Sequence, residues 1–589
     1  MSTLFKEVSY NLQTLIQNID MGIIGLPEIQ RPFVWKDTKV RDLFDSMYKG
    51  YPVGYLLFWA NGHEDAHKTI GADKKQKTPS ILIVDGQQRL TSLYAVIKGM
   101  DIIRNNYKKE KIVVSFKPLE EKFEIPDAAT LRSPEYVHNI SKLWDPNLDM
   151  FDFVNDFINK LRETREITPE DKKKIQNAIT RLKSLEAYPF SSLELNAAID
   201  EEQVADVFVR INSEGKKLNM ADFILTLMSV FWDEGRKDLE DFCGMARVPA
   251  KDAPSPFNYI IEPEPDQMLR AAVGLGFRRA RLQYVYSILR GKDLETGKFS
   301  PERRDAQFKK LKSAQKQVLD IQNWHEFLKA LKLAGYTKSD YISSKLAVIY
   351  AYTLFLVGRV DFKVNLFDLR NLVARWFFMI TLTGRYTGSP ETQMEMDLAR
   401  IRNLSDASDF IKTINEIITT TLTNDFWNIN LPGDLAKSSS FSKSLFAYYA
   451  ALKIINAKGL FSKMLVGDLL QEGMRSKKSP LEKHHLFPRK YLNRIGITEQ
   501  TQTNQIANYA LVEWGDNIKI SDTAPAEYLT AYKARFSDEQ YREMCYWHAL
   551  PENWEVLEYA CFLEKRRKLM ARVIKDAFET LKVQNLVES

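Results

Sequence analysis

The sequence predicts a multidomain α+β protein, and three observations carry that reading. Residues 8–117 alternate short apolar runs with amphipathic stretches, residues 221–473 keep helical periodicity, and beyond residue 474 turn residues return with a strand-like YALVEW. The chain therefore divides into an N-terminal mixed α/β domain over 1–230, a helical middle domain over 231–473 and a smaller C-terminal α/β domain over 474–589, which opens on the basic, serine-punctuated MRSKKSP. A length of 589 residues accommodates three or four such domains, each with its own core.

Within the first domain, Leu56 to Ala60, Ser80 to Val84 and Lys111 to Phe116 read as strands. Asp37 is expected to cap a helix whose Val40, Leu43, Phe44 and Met47 recur at one-face spacing, with Gly50 stopping it. A helical insertion is expected around residues 150–185, after which SSLELN at 191–196 resumes the sheet and VADVFVRI returns to helix. In the middle domain, YISSKLAVIYAYTLFLV and LRNLVARWFFMITL are apolar on most faces, as buried helices are. Trp376, Phe377 and Phe378 read as helix core rather than a base-stacking platform, and the aromatics from Phe441 to Tyr449 as core too.

Composition excludes several classes. Apolar residues at 44%, charged at 27% and aromatic at 12% are those of a folded globular chain, and 83 basic against 77 acidic residues leave only +6. That excess is too dilute for a protein that coats nucleic acid, so any such site is a local patch. Three scattered cysteines, Cys243, Cys545 and Cys561, form no CxxC pair and offer neither a disulfide framework nor a cysteine-held zinc. With no signal-peptide core and no spanning apolar stretch, the expectation is a cytoplasmic protein without membrane contact.

The most informative short segment is HHLFP at 484–488, followed by Asn508 ahead of YALVEW and by Asn517 and Lys519 at the head of a helix. That order resembles an HNH nuclease, whose ββα-metal site needs a strand residue on a divalent cation, an adjacent histidine to take a proton from water and a helix residue to complete the metal shell. In this reading His484 and Asn517 are the metal ligands, His485 is the general base, and Asn508 ties the connecting loop and orients the base. Lys483, Arg489, Lys490 and Lys519 supply positive charge for a phosphodiester backbone. The competing reading is a pair of surface or capping histidines in a basic loop.

A second polar cluster lies at VDGQQR, where a buried-type strand runs into Asp85 and Gly86 and a helix begins with Gln87, Gln88 and Arg89. A strand end followed by a helix N-terminus favours phosphate; Arg89 adds a forked donor, Asp85 can hold a metal or a sugar hydroxyl, and Gln87 or Gln88 can position water. The plain alternative is an ordinary turn and a solvated first helical turn. Gln30 and Arg31 in LPEIQRPFVW, and Arg210 and Asn212 in FVRINSEGKKLNMADF, add two more polar loops that point to one shared pocket. No GxxxxGK[ST] is present, which excludes a P-loop.

Together, PEIQRPFVW, VDGQQRLTSL and FVRINSEGKKLNMADF resemble the N-terminal domain of the GmrSD family, a ParB-like nucleotide-binding fold, and the tail from KHHLFP to NIKISDTAPAEY resembles the family's HNH domain. The resemblance spans roughly residues 8–230 and 475–530 and joins both domains in one chain, as in BrxU-like enzymes. It implies type IV restriction: cleavage of phage DNA carrying modified bases, dependent on a divalent metal (Mg, Mn or Ni) and regulated by binding or hydrolysis of a nucleoside triphosphate. His484 stands where many relatives have an acidic ligand. Because one HNH site cuts one strand, a homodimer is expected for double-strand cleavage. The alternative from another class is a nucleotide-binding regulator or DNA-binding protein without cleavage activity.

Overall fold

The structure, a computed structural model, describes residues 4–25, 33, 35–60, 81–104, 109–196, 220–250, 253–293, 295–297, 300–438, 441–470 and 481–587. It is a mixed α+β chain that separates into two compact units, Met1–Glu234 and Gly235–Ser589.

The first unit is built on a five-stranded mixed sheet with strands β1 (Phe5–Asn11), β2 (Ile24–Gly25), β3 (Leu56–Ala60), β4 (Ile81–Asp85) and, after two small hairpins and two helices, β5 (Pro189–Leu195). Their order across the sheet is β1-β5-β3-β4-β2. Pairing is antiparallel for β1 with β5 and β3 with β4, and parallel for β3 with β5 and β2 with β4. Helices α1 (Leu12–Asp20), α2 (Asp37–Tyr48) and α3 (Gln87–Lys98) bury their apolar stripes with Leu56, Phe58 and Ile83 in one continuous core. Leu57, Trp59, Val84 and Leu195 alternate onto the other face as a separate small cluster.

Val40, Leu43, Phe44 and Met47 of α2 are buried as their spacing predicts, but the N-cap is Lys36 and Asp37 is already helical. The Asp37 carboxylate pairs instead with the Arg104 guanidinium, a partner far enough along the chain that no local pattern discloses it. The expected strand from Lys111 to Phe116 is two shorter ones, Lys109–Lys111 and Ser115–Lys117, each paired in its own hairpin. The helical insertion is present as Met150–Arg162 and Pro169–Lys183. The VADVFVRI segment and MRSKKSP lie outside the described residues.

The second unit is chiefly helical. Trp376, Phe377 and Phe378 lie within the helix Leu366–Thr383 and are buried, as core residues should be. Phe446, Tyr448 and Tyr449 are buried on Lys443–Ile454, whereas Phe441 precedes that helix and is exposed, its ring meeting Phe446 edge-on. A long terminal helix, Tyr559–Val587, joins this layer to the 481–520 segment: Phe578 packs on Phe378, and Phe562 packs on Phe487. Among the described residues no helix is long and apolar enough to cross a membrane.

Candidate functional site

In the second unit β6 (Leu481–His485) pairs antiparallel with β7 (Tyr509–Glu513), placing His484 opposite Ala510 and His485 opposite Tyr509. Buried Ala510, Leu511 and Val512 anchor this hairpin, which explains why YALVE forms a strand, while Trp514, the last residue of YALVEW, already opens the next helix. Side chains alternate along β6, so Glu482 and His484 share one face while Lys483 and His485 take the other. The chain then turns directly into the short helix Trp514–Ile520, which carries Asn517 back against the first face.

There His484 Nδ1 lies 2.8 Å from Asn517 Oδ1, and Asn517 Nδ2 donates to Glu482 Oε2 at 2.6 Å. A carboxylate only accepts, so it draws the amide NH2 and turns the amide oxygen toward the imidazole. His484 Nδ1 must then carry the hydrogen, which leaves the lone pair on Nε2. That atom is buried and has no hydrogen-bond partner in a residue only 3% exposed. Burial pushes the His484 pKa down to about 4, against the opposing pull of the Asn517 contact, so the ring is neutral at pH 7.

These donors fit a divalent cation. With the ring hydrogen moved from Nδ1 to Nε2, His484 Nδ1 and Asn517 Oδ1 would offer a cation two donor atoms 2.8 Å apart. Neutral imidazole suits manganese, nickel or zinc better than magnesium. Among the described residues no three His, Cys, Asp or Glu side chains converge on one point, so a cation here would rely on the asparagine and water as well.

On the opposite face, His485 Nε2 lies 3.0 Å from Asn504 Oδ1, and its ring packs on Tyr509 with centroids 4.7 Å apart. As the amide is oriented, Nε2 donates and Nδ1 keeps its lone pair. Burial lowers the His485 pKa, and the positive charge of Arg489 lowers it further, while the Asn504 contact raises it. Asn508, 0% exposed, accepts from Phe487 N at 2.8 Å and donates to Phe487 O and Thr503 O at 3.0 and 3.1 Å. It thus fastens the segment after the histidine pair to the segment before β7, while the side chain that touches His485 is Asn504.

A further support comes from the terminal helix. Arg566, 0% exposed, donates to the carbonyls of Ala507, Tyr509 and His548, the first two at 2.7 and 2.8 Å. Lys483, Arg489, Lys490 and Lys519 are all exposed, so solvent or a polyanion can reach them. Sequence reasoning missed Glu482, Asn504 and Arg566. Only Glu482 carried a signal, since a residue two before His484 on a strand shares its face.

In the first unit, Asp85 ends β4 and Gly86, at φ +92°, turns the chain into α3, whose N-terminus has no side-chain cap. A Cβ at Gly86 would stand 2.4 Å from Leu56 Cδ2, so the position requires glycine on two counts. Arg89, with its side chain 16% exposed, donates through Nη1 to Val53 O at 2.6 Å and through Nη2 to Tyr55 O and Asp85 Oδ2 at 2.8 and 3.1 Å. Gln87 Nε2 donates to Ile83 O, and Gln88 Oε1 accepts from Trp35 N. The motif thus has an internal role, bracing the 53–55 loop, the end of β4 and the segment at Trp35. Gln30, Arg31, Arg210 and Asn212 lie outside the described residues.

Residues 12–229 match the family model described as the GmrSD restriction endonuclease N-terminal domain. An uncharacterized protein of Methanocaldococcus jannaschii is 23% identical over 551 residues, covering 88% of this chain and 86% of its own length.

Proposed function

Since residues 12–229 carry the N-terminal domain of the GmrSD restriction endonuclease family, we propose that the chain is a metal-dependent DNA endonuclease with its cutting site at His484, His485, Asn508 and Asn517. The observation that supports this most is the 2.8 Å contact between His484 and Asn517, which brings a strand donor and a helix donor together beside a second histidine on the opposite face. Strand, strand and helix follow in the order of a ββα-metal HNH site, and the family's ParB-like fold is our reading of the mixed sheet in the first unit.

In this mechanism His484 and Asn517 would hold a divalent cation, which when bound would stabilise negative charge on the scissile phosphate. His485, held by Asn504 through Nε2–H, accepts a proton from the attacking water at Nδ1. Asn508 keeps the loop between the two in register, and Lys483, Arg489, Lys490 and Lys519 receive the backbone phosphates. Discrimination then falls to a modified base, flipped from the duplex, because so dilute a positive charge gives little selectivity.

We assign nucleoside triphosphate to the first unit, at the uncapped N-terminus of α3, with Asp85, Gly86, Gln87, Gln88 and Arg89, and with Gln30, Arg31, Arg210 and Asn212 by family resemblance. Two copies acting as a homodimer would cut both strands.

Plasmid nicking with manganese, nickel or magnesium tests the nuclease reading. The parent chain is expected to nick, and His485→Ala to fold and lose nicking. Faster cleavage of phage DNA with modified cytosines than of the same sequence amplified from ordinary nucleotides is the second expectation. Equal rates on both templates, across metals and nucleotides, would remove modification dependence. Absence of nicking with retained nucleotide binding would favour a regulator.

A further inference from the structure

We propose that Glu482 is the anionic positioning residue of the cation site, a role that rests on the metal reading of His484 and Asn517. The two donors named above are both neutral: an imidazole in its uncharged form and a primary amide. A divalent cation held by these two residues would bring two positive charges into a largely buried pocket, where desolvation is costly unless an anion stands close. The Glu482 carboxylate is that anion. It shares the face of β6 with His484 and accepts from Asn517 Nδ2 at 2.6 Å.

The same contact sets the amide's orientation. With its NH2 held by an acceptor-only carboxylate, Asn517 presents its oxygen toward His484. Without that constraint the amide can rotate by half a turn and present hydrogens, which repel a cation. Glu482 therefore acts through Asn517, much as carboxylates behind metal-bound side chains raise affinity in other sites.

Titration of the full-length chain with manganese, followed by loss of the free-ion electron paramagnetic resonance signal, tests this without reference to cleavage. Glu482→Gln keeps an acceptor for Asn517 Nδ2 but removes the charge and the one-way orientation. It is expected to weaken manganese binding about 10- to 100-fold with circular dichroism and urea midpoint unchanged. Glu482→Asp, which restores the charge, is expected to recover most of that loss, and this comparison holds even if the glutamine variant folds poorly. Parental affinity in Glu482→Gln, alongside weakened binding in His484→Ala, overturns the role of Glu482 alone. Parental affinity in His484→Ala, or no binding by the parent, overturns the metal reading and this inference with it.

Discussion

Asn508→Ala isolates what the buried asparagine contributes. Its side chain satisfies three backbone groups: the Phe487 N–H, the Phe487 carbonyl and the Thr503 carbonyl, all in a residue with no exposure. Alanine leaves the Phe487 N–H and carbonyl without that partner, while Thr503 O keeps a 3.4 Å contact from the Tyr559 hydroxyl, and each buried unsatisfied group costs about 1–3 kcal/mol. Some recover a water, so we expect a net loss on the order of 3–5 kcal/mol, concentrated in the 486–511 segment. Hydrogen exchange in that segment, with tryptophan fluorescence in urea, measures it. Asn508→Asp sharpens the test. It keeps one acceptor for Phe487 N but turns a second oxygen toward two carbonyls, a contact tolerable only when the acid is protonated. Its folded pKa is therefore raised above the ordinary carboxylate value, the folded state binds more protons, and its stability must fall as pH rises from about 4. Parental exchange rates in Asn508→Ala, with no pH-dependent loss in Asn508→Asp, would refute the claim that this side chain pins the loop.

Three further outcomes are expected. His485→Ala should bind manganese as the parent does yet lose nicking at all metal concentrations, by at least about 100-fold, since it removes the proton acceptor and leaves His484 and Asn517 intact. Burial of His548, against the carbonyl of Lys458 and beside Arg566, pushes its pKa down to about 4, so the unfolded chain takes up a proton first; stability falls as pH drops from 6.5 toward 4, by about 3 kcal/mol in total. Urea midpoints across that window should show the loss, and His548→Gln should flatten part of it. Gly54 has φ +87° and a Cβ there would stand 2.4 Å from Arg89 Nη1, so Gly54→Ala should displace the guanidinium and cost about 1 kcal/mol or more, read as a lowered melting temperature of the first unit.

Local patterning sufficed for the mixed α+β class and for the most strongly periodic elements. One-face spacing placed the buried residues of α2, and the unbroken apolar run placed Trp376 to Phe378 in a core, because burial on a helix face or strand is written in local periodicity. It also drew attention to His484, His485, Asn508 and Asn517, since strand, turn and helix signals lie close together there. What a pattern could not disclose is who faces whom. That Asn504 rather than Asn508 meets His485, that Glu482 holds Asn517, and that Arg566 reaches three carbonyls all follow from packing across the chain. Arg89 shows the same limit: read locally it is a free forked donor, yet three of its five N–H groups already donate to Val53, Tyr55 and Asp85. A residue's type fixes what it can bond, but only the tertiary structure fixes which of its partners come within 3 Å, because buried polar groups are satisfied by whatever the fold brings beside them.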